Sequence, residues 1–201
     1  MGPHDSIKLI DAKIEALENS LSGYLRNDIL VTTSLDKDSS LLLFLLQEAK
    51  IKADIVFINT GLIQGKVDEN LEIFNDTFEY NLKIIDKRLQ LEQYLRGKNF
   101  NNLSKKEQKF VCQTQKKDAL DHHIKETKKS IWVTGIRRYQ TEHRKSMKAI
   151  SYSDGLIKYS PIFNLSNIEI MYILKAINLR KFHELIDLCK NNESQECGLH
   201  I

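Results

Sequence analysis

Apolar residues recur every three or four positions over residues 6–22, where Ile7, Ile10, Ile14, Leu17 and Leu21 share a face, and predict an amphipathic helix. Residues 28–33 (DILVTT) form a β-branched run suited to a buried strand, and residues 34–39 follow as a polar loop. Residues 39–50 are apolar almost all round, as expected of a helix packed deep against a sheet. A second strand is expected at 53–58, a helix at 66–80 and a third strand at 82–86. Residues 88–128 read as mostly helical and basic, 130–135 as a fourth strand and 156–159 as a short fifth one. Ser166 followed three residues later by Glu169 is a capping box that starts a helix over 166–179, and a further helix is placed at 181–190. Strand and helix alternate, which indicates an α/β protein with a mostly parallel sheet and helices on both faces. One domain over 1–201 is expected, with an N-terminal helical segment at 1–27 and a mobile tail at 191–201. Ligands of such sheets sit beyond the carboxyl ends of the strands. Three of those ends carry polar sequence: 34–39, 59–61 and 135–144.

Composition narrows the class. Hydrophobic residues make up 41% of the 201-residue chain and charged residues 28%, as in ordinary globular proteins. The longest apolar run, at 41–46, is six residues, far short of a membrane span. No signal peptide is evident, so a cytoplasmic location is expected. Three cysteines, Cys112, Cys189 and Cys197, supply neither a disulfide framework nor a four-cysteine metal site within one chain. The net charge of +3 is unevenly spread, for residues 105–148 hold 13 basic and 5 acidic groups, a local excess of +8. Such an excess favours an anionic partner: a nucleotide, a nucleic acid or an acidic protein. Lys128 and Lys129 are assigned to a solvated helix face.

The strand ends supply the candidate chemistry. Ser34, Lys37 and Ser39 stand where a helix N-terminus offers backbone N–H groups and partial positive charge to phosphate oxygens. Asp36 and Asp38 would repel that phosphate unless they point away. Thr60 and Gly61 follow the second strand, and Gly61 permits close backbone approach. Gly135 opens the third end, where Arg137, Arg138 and Arg144 present planar forks suited to oxyanions. Near the other end of the chain, Cys197 lies beside Gly198 and close to His200. Its thiolate would be a nucleophile.

Taken together, the loop 34–39, the Asn59-Thr60-Gly61 turn, the run Gly135-Ile136-Arg137-Arg138-Tyr139-Gln140 with Arg144, and the segment Glu196-Cys197-Gly198-Leu199-His200 resemble the sulfonucleotide reductases, the phosphoadenosine-phosphosulfate (PAPS) reductase family. The resemblance extends over residues 28–201. It implies a Rossmann-like adenine nucleotide α-hydrolase fold with the nucleotide across the strand ends. It also implies that Cys197 attacks the sulfonyl sulfur, that a Cys S-sulfonate forms, and that thioredoxin or glutaredoxin then releases sulfite. Cluster-bearing members have two adjacent cysteines where this chain has only Cys112, and the second pair is absent, Cys189 standing alone near its place. No bound cofactor, metal or [4Fe–4S] cluster is therefore expected. The segment 183–196 is shorter than is usual in the family.

The reading is a PAPS reductase of assimilatory sulfate reduction, with PAPS preferred over APS, its unphosphorylated relative. Lys116 or Lys37 is the candidate partner of the extra phosphate. Neither a nucleic-acid nor a membrane partner is expected, and a homodimer stays open. Two alternatives remain: an ATP-using ligase or adenylyltransferase of the same superfamily, and a nucleotide- or RNA-binding module built on the basic stretch.

Overall fold

The computed structural model describes residues 3–61 and 67–177. Six strands among them form one sheet: β1 (Ile29–Thr33), β2 (Asp54–Asn59), β3 (Leu82–Asp86), β4 (Ile131–Thr134), β5 (Ile150–Ser153) and β6 (Leu156–Tyr159). Their order is β3-β2-β1-β4-β6-β5. All pair in parallel except β5, which runs antiparallel to β6. The chain leaves β1 toward β2 and β3, then crosses back to place β4 on the other side of β1. Strand order reverses at that point, between β1 and β4, where sheets of this kind place the crevice that takes a ligand.

The two faces are both covered. On one, α1 (Pro3–Leu21), α2 (Lys37–Glu48), α3 (Val67–Thr77) and α7 (Asn167–Ala176) share a core with Val31, Ile55, Phe57 and Val133. On the other, Ala119 and Leu120 of α5 (Lys105–Thr127) pack on Leu30, Val56, Ile58 and Trp132. Burial on both sides explains why β1, β2 and β4 read as continuous apolar runs.

Several boundaries differ from the sequence expectation for local physical reasons. Helix α2 starts at Lys37, because the Asp36 side chain caps it. The stretch 88–128 breaks at Arg96 and Gly97, both at positive φ (48° and 81°), into α4 (Arg88–Leu95) and α5. A capping box between Ser104 and Glu107 restarts the helix. Strand β5 was not expected, since it is only four residues long and every residue in it is exposed. Its signal is the turn instead: Asp154 and Gly155, at φ 51° and 79°, give the two-residue connection that suits a right-twisted hairpin. Lys129 is not solvated. It is buried, donates to Asn27 O at 2.9 Å and pairs with Asp54. The expected helix at 181–190 and the tail at 191–201 lie outside the described residues.

Candidate functional site

At the carboxyl end of β1 the chain makes a three-residue turn into α2. Leu35 takes the left-handed conformation (φ 59°) with its side chain buried, and donates its N–H to Thr33 Oγ1 at 3.0 Å. Asp36 Oδ1 accepts from the Ser39 N–H and the Ser39 hydroxyl, each at 2.9 Å. Ser39 Oγ in turn accepts from Asp36 N–H at 3.2 Å and from Thr33 Oγ1 at 3.1 Å. Ser39, expected to present its hydroxyl to a phosphate, is buried with that hydroxyl bonded within its own loop. Ser34 is exposed at the turn and Lys37 half-buried on the first turn of α2. The positive end of that helix faces the crevice.

Asp38 and Arg137 are the centre of the site, and both are almost wholly buried, with side chains 4% and 1% exposed. Asp38 Oδ2 accepts from Arg137 Nε at 2.8 Å and from Gln140 Nε2 at 2.9 Å, and lies 2.8 Å from Arg137 Nη2 in an ion pair. The Arg137 fork is completed by Leu165 O at 3.2 Å and Asn167 Oδ1 at 2.8 Å. Burial first, then the neighbouring Asp36 charge, pushes the Asp38 carboxyl above the usual range, while Arg137 pulls against them. Arg137, expected as a clamp on substrate, has its guanidinium bonded inside the protein. Its donors join the loop after β1 to the loop after β4. Neither acid opposes an anion in the crevice as feared, since Asp36 caps α2 and Asp38 is paired.

Gln140 and Asp38 were missed as structural partners. Gln140 Oε1 accepts from Arg137 N–H at 3.0 Å and from the Arg144 guanidinium. Gly135 is held by packing: a Cβ there would stand 3.2 Å from Ser39 N and 3.3 Å from the Asp38 carbonyl carbon. That approach presses the end of β4 against the first turn of α2. Thr60 is fully buried, and Gly61 donates its N–H to Asn59 Oδ1 at 3.0 Å. Arg138 keeps its side chain half-buried, with the guanidinium 5.7 Å from the Tyr139 ring centre. Arg144 is buried at the start of the hairpin, on α6 (Glu142–Lys145). Burial, and then the charge of Arg144, lowers the pKa of nearby Lys158 to about 8. Lys158 had been read only as part of a strand, and nothing in its sequence surroundings marks it. Lys37 on the first turn of α2 and Arg138 and Arg144 after β4 thus follow adjacent strands at one edge of the sheet, and cations and a helix N-terminus of this kind can bind an oxyanion. Cys189, Cys197 and His200 lie outside the described residues, as does the side chain of Cys112.

Comparison with known proteins sharpens the picture. The family model described as the phosphoadenosine phosphosulfate reductase domain matches residues 28–188. A Synechocystis sp. protein named phosphoadenosine 5'-phosphosulfate reductase is 21% identical, over 86% of this chain and 80% of that one. An NH3-dependent NAD synthetase from Campylobacter jejuni superposes with a TM-score of 0.62 at 17% identity, covering 96% of this chain and 86% of that one. A phosphoadenylyl-sulfate reductase from Candida auris, solved as a phosphate complex, gives 0.58 at 16% identity, covering 87% and 90%. These likenesses establish the fold, that of the adenine nucleotide α-hydrolases.

Proposed function

Because the chain belongs to the phosphoadenosine phosphosulfate reductase domain family, we propose that it reduces PAPS to sulfite and adenosine 3′,5′-bisphosphate. The observation that supports this reading best is the buried Asp38–Arg137 pair, which binds the loop after β1 to the arginine loop after β4 within the matched residues. A crevice so held keeps Arg138, Arg144 and Lys37 in place for a multiply charged nucleotide. Cationic surroundings also lower the repulsion between such a substrate and a thiolate.

In the proposed reaction the Cys197 thiolate attacks the sulfonyl sulfur. An S–S bond forms, the bond from that sulfur to the phosphate oxygen breaks, and the electron pair leaves with adenosine 3′,5′-bisphosphate. A dithiol protein, thioredoxin or glutaredoxin, attacks Cys197 Sγ and expels sulfite. Its second thiol resolves the mixed disulfide, so the dithiol is oxidised and Cys197 returns as thiol. His200 is assigned to substrate binding beside Cys197.

The test is intact-protein mass spectrometry after incubation with PAPS. A gain of one SO₃ is expected for the unaltered protein, for Cys112→Ser and for Cys189→Ser. None is expected for Cys197→Ser, which should still bind nucleotide, since a serine hydroxyl is a far weaker nucleophile near neutral pH. Normal sulfite release by Cys197→Ser would overturn the mechanism. The synthetase-like fold keeps a second reading in play, that of an ATP-using ligase or adenylyltransferase. Magnesium-dependent ATP cleavage without any sulfonate adduct would favour it.

A further inference from the structure

Gln140 is half-buried in the loop after β4, and three groups hold its side chain. Its Nε2 donates to Asp38 Oδ2, on the first turn of α2, at 2.9 Å. Its Oε1 accepts from the Arg137 N–H at 3.0 Å and from Nη1 of Arg144 on α6. The Gln140 N–H donates to Arg137 O at 3.3 Å, so backbone and side chain close the same turn. Only one orientation of the amide suits these partners. A carboxylate only accepts, whereas a guanidinium and a backbone N–H only donate. Turning the amide over would set acceptor against acceptor and donor against donors. Gln140 is thus an uncharged adapter between an anion and a cation.

One side chain therefore ties the first turn of α2, which bears Lys37, to the guanidinium of Arg144. Asp38 is itself held by Arg137, so the adapter is anchored on a buried pair. We propose that Gln140 is a positioning residue of the nucleotide site, setting the Arg144 guanidinium against the first turn of α2 through a contact that adds no charge. The inference rests on the nucleotide reading of the site and adds to it the residue that orients one of its arginines. Charge is the reason for an amide. A carboxylate at this position would pair with Arg144 in competition with an oxyanion, and it would stand against Asp38. A proton shared between the two carboxyl groups would restore both the three contacts and the net charge. Around Asp38, burial and Asp36 favour that proton, and Arg137 and Lys37 oppose it.

The experiment titrates adenosine 3′,5′-bisphosphate into the full chain by calorimetry, with urea unfolding of each variant beside it. Gln140→Met keeps the length of the side chain and loses both ends of the adapter. At neutral pH it should bind at least about tenfold more weakly, the scale of a hydrogen bond to a charged group. Arg144→Met should lose as much or more. Gln140→Met/Arg144→Met should be no weaker than Arg144→Met alone, because one residue acts through the other. Losses that multiply in the double variant would overturn the inference, as would unchanged affinity in Gln140→Met. Gln140→Glu gives a readout that a merely structural amide would not move. Its affinity, taken relative to the unaltered protein at the same pH, should fall about tenfold or more from about pH 5.5 to about pH 8.5, as the shared proton is lost. A ratio constant over that range would overturn the inference, and this arm decides the matter by itself if the methionine variants do not fold. Any of these failures leaves the nucleotide reading standing. Absence of nucleotide binding by the unaltered chain would overturn that reading, and the inference with it.

Discussion

Arg137 and Arg138 are adjacent in the chain and opposite in role. Arg137 has its fork bonded inside the protein, whereas Arg138 is half-buried with its guanidinium 5.7 Å from the Tyr139 ring centre. Truncating one member of a buried ion pair strands the other, at a cost of about 3–5 kcal/mol. Arg137→Ala and Asp38→Ala are therefore expected to lose that much stability in urea unfolding, with Asp38→Leu/Arg137→Leu recovering part of it. Arg138→Ala should leave unfolding nearly unchanged and weaken nucleotide binding by about 1.5–3 kcal/mol. Lys125→Ala, on the exposed face of α5, should change neither. Equal binding losses at Arg138 and Lys125 would mean a diffuse field rather than a site. Lys158 leads to a second prediction at this scale. With a pKa of about 8 in the folded protein against about 10.5 unfolded, the unfolded chain binds more protons between those values. The ligand-free protein should gain stability from this group as pH rises from 8 to 10.5, because the penalty for burying the charge then fades. Lys158→Met should abolish that rise and be more stable near pH 7 by about 3 kcal/mol, the scale of its lowered pKa.

At the scale of elements, the turn from β1 into α2 carries a conflict between conformation and burial. Leu35 at φ 59° costs about 1–2 kcal/mol relative to an unstrained residue. Its side chain, 4% exposed, returns about 1.5–3 kcal/mol by burial. Burial wins narrowly, which explains why leucine is tolerated in a left-handed position. Leu35→Gly gives up the burial and relieves the strain, so a loss of about 1 kcal/mol is expected. Leu35→Ala gives up the burial and keeps the strain. The alanine variant should therefore be the less stable of the two in thermal or urea unfolding, the reverse of the usual helix and strand ranking. If alanine proves the more stable, the left-handed turn is not the strained element described above.

For the whole molecule, what matters is how charge is redistributed by folding. The basic stretch 105–148 carries a net +8. In the fold Lys129 is bound to Asp54, Arg137 to Asp38 and Lys145 to Glu142. Arg138, Arg144 and Lys37 are the cations proposed to meet the nucleotide. An extra phosphate on the nucleotide should meet one of these as a paired charge, worth about ten- to a hundredfold in affinity. With one dithiol reductant at fixed salt, kcat/KM is expected to favour PAPS over APS by that factor. A ratio near one, or favouring APS, would remove the 3′-phosphate contact and leave the Cys197 chemistry untouched. No helix among the described residues is long and apolar enough to cross a membrane.

Apolar periodicity and β-branched runs alone determined the sheet strands β1 to β4 and the helices α2 and α3 between the first three. Those signals are local, because a strand buried on both faces must be apolar throughout. The same locality made the Ser166–Glu169 cap legible, and it is found as expected at the start of α7. The family was legible too, since its motifs are short and ordered along the chain. Tertiary structure decided which polar residues remain available to a ligand. Arg137 and Arg138 look alike in sequence, and only the approach of α2 across the end of β4 gives one a buried carboxylate and leaves the other at the crevice. Asp38 changes from an obstacle to a fastener for the same reason, its partner lying 99 positions away. Lys158 becomes conspicuous only when β6 lies beside β4 and sets an ammonium over Trp132 and near Arg144. Hydrophobic pattern is written in neighbouring residues, whereas desolvation and charge pairing depend on what the folded chain brings together across the sheet.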